Sequence, residues 1–205
     1  MNLAATDQGP LTKRSHTKEN AAWAVAVVLV ALLAVYAFGG LGFSTGSSGT
    51  RTTSTTYDTA ASSVVIAAAQ QYPNGYNATS LGPLAPDYPG AQSAAYAVLY
   101  QSESSANITV IVFDSTNSSE SYYGLFLSNV KGLAGYTEIT GVLSGYQKYG
   151  ACYAYGEDVD GIAVANGICT DGNVFLQAHL SSTEPLSELE GDLSSLIGAM
   201  YQSVG

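Results

Sequence analysis

The chain has 205 residues and a formal net charge of −10, with only 11% charged residues and an abundance of Tyr, Ser, Thr, Gly and Ala. Its charges are divided unevenly: Lys13, Arg14, Lys18 and Arg51 flank one apolar segment, and beyond residue 57 fourteen carboxylates face only Lys131 and Lys148. A region carrying twelve net negative charges repels phosphate backbones and anionic headgroups, so nucleic-acid recognition is excluded as a leading function.

Residues 1–20 form a short basic tail. Residues 21–43 carry no formal charge and include the run Val25-Ala26-Val27-Val28-Leu29-Val30-Ala31-Leu32-Leu33. At about 1.5 Å per residue, such a helix crosses a hydrocarbon core of about 30 Å. The basic residues preceding it place the tail inside the cell and the rest outside, a single-pass signal anchor in the cell membrane. The alternative is a signal peptide cleaved near Ala37-Phe38-Gly39, against which the long apolar run argues. Residues 44–56 are Ser, Thr, Gly and one Arg, a composition that reads as a spacer.

Residues 57–205 make one domain. Ala60, Ala61, Val64, Val65, Ala68 and Ala69 recur at helical spacing up to Tyr72-Pro73-Asn74-Gly75, where the helix is expected to stop. Residues 76–92, with three Pro and two Gly and with Gly75 just before them, read as a long loop. Residues 94–100 and 108–113 predict an antiparallel strand pair. Residues 118–131 then predict a helix through Tyr122, Tyr123, Phe126, Leu127 and Val130, with Leu133 continuing its stripe. A weak strand is expected over 136–143.

Two Asp-Gly pairs, at 160–161 and 171–172, divide residues 149–180 into a three-stranded meander, because Asp-Gly suits a type I′ hairpin turn. With Asp160 and Gly161 as central turn residues, opposed positions sum to 321. Cys152 then faces Cys169 as a non-hydrogen-bonded pair close enough for a disulfide. The rival register turns at Asn166-Gly167. Last, Thr183 can cap a helix whose stripe is Leu186, Leu189, Leu193, Leu196, Ile197, Met200 and Val204. The order defines an α+β fold: an antiparallel sheet packed on one side by helices, behind the N-terminal transmembrane helix. The pattern resembles small membrane-anchored sensor or lipoprotein domains of cell envelopes, without a motif that names a family.

The chemistry offered is sparse. His179 is the lone histidine of the domain, which leaves no His-rich metal centre and no cofactor site, and no Gly-x-Ser-x-Gly elbow accompanies it. The stretch 156–161 resembles part of a calcium loop, but Gly156 and Gly167 stand where the terminal carboxylates would be needed. These acids together with Asp171 are the only basis for a carboxylate-dependent hydrolase, the competing function. Sequons at Asn77, Asn107 and Asn117 are candidate glycosylation sites. The leading expectation is a non-enzymatic binding or assembly module that contacts another envelope protein, with a ligand-sensing ectodomain as a further alternative. The meander supplies its candidate partner face: Tyr153, Tyr155, Ile168, Phe175 and His179 share one side, with Tyr153, Ile168 and Phe175 aligned across three strands. The competing reading is structural: the Tyr side chains pack across the strands, or the protein's own loop 76–92 covers that side.

Overall fold

The computed structural model divides into two units, Met1–Ser48 and Gly49–Gly205. It describes residues 56–205 other than 73–75, 86, 102 and 134. The expected tail, span and nearly all of the spacer lie outside the described residues. No helix among the described residues is long and apolar enough to cross a membrane.

The domain is α+β. Helix α1 (Ala61–Gln71) is followed by strands β1 (Asn77–Leu84), β2 (Ala91–Gln101) and β3 (Ser104–Phe113), helix α2 (Thr116–Lys131) and the two-residue β4 (Thr137–Glu138). Then come a 3-10 turn (Ser144–Tyr146), strands β5 (Cys152–Val159), β6 (Ile162–Asp171) and β7 (Val174–Ser182), and helix α3 (Leu186–Val204). The strands form one seven-stranded sheet in the order β1-β2-β3-β7-β6-β5-β4, each neighbouring pair antiparallel.

The first hairpin of the meander has the expected register. Val159 pairs with Ile162 and Cys152 with Cys169. Asp160 and Gly161 both have positive φ, 54° and 79°, as a type I′ turn requires. Asn166 lies inside β6 opposite Tyr155, so the rival turn at Asn166-Gly167 is ruled out. The second hairpin turns one residue later than expected. Asp171 pairs with Val174, leaving Gly172 (φ 54°) and Asn173 as its central residues. A glycine at the first central position is the signature of a type II′ turn. The shift puts Gln177, not Phe175, opposite Ile168, while Phe175 pairs with Thr170. The two faces are unchanged, because the register moves by two positions and side chains alternate with period two.

Helices α1 and α3 share one face of the sheet. Ala163, Ala165, Cys169, Leu176, Ala178 and Leu180 of the meander are buried there with Leu189, Leu193, Leu196, Ile197 and Met200 of α3 and Val64, Val65 and Ala68 of α1. The small residues let α3 lie close to the strands. A methyl group at Gly167 would stand 3.1 Å from Leu193 Cδ1 and 3.2 Å from Leu143 Cδ1.

Five expectations need correction. Helix α2 packs on the opposite face, so helices cover both sides of the sheet rather than one. Half of the expected loop 76–92 is strand β1; its Pro83 is tolerated because an edge strand pairs on one side only. Only Thr137 and Glu138 of the segment 136–143 form a strand. Leu133 lies past the end of α2 and is exposed, and Thr183 does not cap α3: its hydroxyl donates to Glu103 Oε2 at 3.0 Å. Pro185 occupies the N-cap position, and Ser182 Oγ accepts from the Glu184 N–H.

Candidate functional site

The face expected to meet a partner is largely internal. Ser115 caps α2 by accepting the Ser118 N–H, and Asp114 accepts the hydroxyls of Ser115 and Ser118, so the helix starts immediately after β3 and lies across the sheet. Phe113, Ile168 and Phe175 are buried beneath it and, with its own Tyr122, form a second core. Tyr122 meets Phe175 edge-on with centroids 4.8 Å apart, and Tyr88 meets Tyr122 edge-on at 4.7 Å. Burial pushes the Tyr122 pKa up to about 12.

Ile168 and Phe175 thus have no surface to offer a partner, a correction to the expected contact face. The cover is helix α2, whose aromatic stripe needs an apolar seat. Tyr155 is buried too, packed edge-on against Tyr136 at 5.3 Å. Tyr153 is half-buried, with the Lys131 ammonium 5.2 Å from its ring centroid. His179 keeps part of its surface, and its Nδ1 donates to Asn166 Oδ1 at 2.7 Å. Burial lowers its pKa to about 4, so the ring is neutral at physiological pH.

One end of the sheet is organised around the first residue after the spacer. The Tyr57 N–H donates to Asn173 Oδ1 at 2.7 Å, and Asn173 Nδ2 donates to the carbonyls of Tyr57 and Phe113, at 3.2 and 2.8 Å. The Tyr57 hydroxyl donates to Asp171 Oδ1 at 3.0 Å. Burial first, then Asp171, pushes the Tyr57 pKa up to about 12, while burial raises that of Asp171. Beside this clamp lies the Cys152–Cys169 disulfide, with Cα atoms 4.2 Å apart, the spacing of a narrow antiparallel pair. Tyr201 lies close to it: its hydroxyl donates to the Thr170 carbonyl and lies 3.4 Å from Cys152 Sγ, and its ring stacks on Tyr146 at 5.3 Å. Sequence reading found the disulfide and missed the clamp, because Tyr57 lies more than a hundred positions from Asp171 and Asn173. Replacing Asn173 with Ala removes three hydrogen bonds at a buried position and is expected to cost about 2 kcal/mol, read from urea unfolding midpoints.

At the opposite end a cleft of about 380 Å³ opens between the β2–β3 turn and the start of α3. Its lining among the described residues is Gln101, Glu103, Ser104, Ser182, Glu184, Glu188, Leu189 and Asp192: four carboxylates and, among the described residues, no basic one. The walls are tied together by hydroxyls, Ser104 Oγ to Ser182 Oγ at 2.7 Å and Thr183 to Glu103. Among the described residues no three His, Cys, Asp or Glu are arranged to hold one metal ion. Dispersed carboxylates suit an extended cationic group better than a single ion. Glu184 stands just before α3 and Glu188 in its first turn, where a carboxylate also complements the helix dipole.

The carboxylates that suggested a hydrolase are not brought together. Asp160 sits at the β5–β6 tip and Asp171 at the far end of the ten-residue strand β6, about 30 Å away along the strand. Of the sequons, Asn77 is exposed on edge strand β1, Asn107 is half-buried in β3 opposite His179, and Asn117 is exposed in the first turn of α2.

No protein-family model matches the chain, and no curated protein matches it. Among solved structures, the chain shows similarity to the extracellular domain of PknH from Mycobacterium tuberculosis, at a TM-score of 0.42 and 10% identity over 62% of this chain and 81% of that one. At that distance it assigns no role to any residue here.

Proposed function

We propose that the chain is a membrane-anchored, extracellular, non-enzymatic binding or assembly module whose acidic cleft receives a basic segment of another envelope protein. The observation that carries this reading is the polarity of the domain. The spacer joins at the Tyr57 clamp, and the cleft with its four carboxylates lies at the other end of β7, about 30 Å away. A domain held at one end presents the other to its surroundings. Carboxylates at the rim of a cleft draw cationic groups and set the rate and salt dependence of association.

The test is recovery of the partner by the full chain in mild detergent, at 50 and 500 mM salt, beside the double variant Glu184→Gln, Glu188→Gln. Recovery is expected to fall roughly tenfold in the variant and at high salt, with the unfolding midpoint nearly kept because both side chains lie at the exposed start of α3. A variant that recovers the same partner as well as the parent, with the same salt response, removes the cleft from the account.

A further inference from the structure

We infer that Asn117 carries an N-linked glycan, attached before helix α2 forms. Two buried hydroxyls among the described residues have no hydrogen-bond partner, Thr116 Oγ1 and Ser119 Oγ, and they flank Asn117 on both sides. Ser119 is 0% exposed and points into the layer between α2 and the sheet. An enclosed hydroxyl without a partner weakens a fold, and serine is a poorer helix former than alanine. At this position the folded protein has no use for the oxygen. The sequence does, because Asn117-Ser118-Ser119 is an acceptor sequon that needs a hydroxyl at its third residue.

The geometry also fixes the order of events. Asn117 faces solvent in the first turn of α2, where a bulky glycan meets nothing, whereas the Ser119 hydroxyl is reachable by an enzyme only while the segment is extended. The donor is a lipid-phosphate-linked oligosaccharide. The Asn117 amide nitrogen bonds to the anomeric carbon, the bond from that carbon to the phosphate oxygen breaks, the lipid phosphate leaves, and the amide gives up one proton. The inference rests on the domain lying outside the cell, and the disulfide tests that placement separately.

The full chain is purified from the cells that make it and digested with a protease cutting after Asp and Glu, which releases the hexapeptide 115–120 between Asp114 and Glu120. Mass spectrometry is expected to find this peptide with a glycan mass. Asn117→Gln and Ser119→Ala are both expected to yield the bare peptide, Ser119→Ala with a melting temperature equal to or above that of the unglycosylated Asn117→Gln protein. A bare peptide from the parent chain overturns the inference. If Cys152 and Cys169 are disulfide-linked in that sample, glycosylation alone fails; if they are free thiols, the outside placement fails with it. A glycan that persists in Asn117→Gln is attached to a hydroxyl and also overturns the inference, as does a Ser119→Ala melting temperature below that of Asn117→Gln.

Discussion

Replacing Phe175 with Ala is expected to lower the stability of the domain by about 3–5 kcal/mol, the usual cost of emptying a large aromatic site in a core. The side chain is fully buried, touched edge-on by Tyr122 at 4.8 Å and approached by Phe126 at 5.7 Å. The cavity cannot collapse easily, since its floor is a strand bonded on both sides. Tyr153→Ser on the same face is expected to cost only about 1 kcal/mol, because that ring is half-buried and rests under Lys131. Urea unfolding checks both. Partner recovery by folded Phe175→Ala protein is expected to match the parent, whereas lost recovery with less than 1 kcal/mol of destabilisation would return this face to the role of a contact surface.

The second large effect is a loss of stability in acid carried by His179. Its folded pKa is about 4, against an ordinary histidine near 6.5, because burial disfavours the charged ring. Below pH 6.5 the unfolded chain takes up a proton that the folded domain refuses, so stability falls with pH until the folded ring titrates near pH 4 and then levels off. The full effect is roughly 3 kcal/mol. Asp171 has the opposite sign: burial raises its pKa, so its contribution is present in acid and declines as pH rises through the folded value. The comparison is unfolding free energy from pH 3 to 8 for the parent and His179→Gln. The parent is expected to show an additional slope between pH 6.5 and 4 that the variant lacks, and identical profiles would count against a ring held neutral by its surroundings.

How much of this was legible in the sequence differs by element. The first hairpin of the meander was, because Asp160-Gly161 favours one turn type and that turn brings two cysteines into line; the second was legible only to within one residue, since Asp171 pairs with Val174 and the turn falls on Gly172-Asn173. Helix α3 was, since seven apolar residues at helical spacing describe one stripe. Strand β1 was hidden because an edge strand needs neither β-branched residues nor an apolar alternation: Asn77, Ala78, Ser80, Leu81 and Pro83 are all exposed. The side of the sheet taken by α2 was also hidden. Its stripe and its length were readable, but both faces of the meander offer apolar seats, and which one the helix covers is decided by the path out of β3. That ambiguity turned the interior residues Ile168 and Phe175 into a candidate contact surface. The clamp and the cleft join residues more than seventy positions apart, Tyr57 with Asp171 and Glu103 with Thr183, and no local pattern marks such pairs.

The clamp has a mechanical consequence. A pull on residue 57 does not first peel helix α1 from the sheet. Its bonds end on Asp171 and Asn173, in the turn that joins β6 to β7, and Cys169 lies two residues before Asp171, covalently tied to β5. Traction therefore passes at once into three interior strands, and the load is shared across the ladder instead of being borne by one hydrogen bond after another.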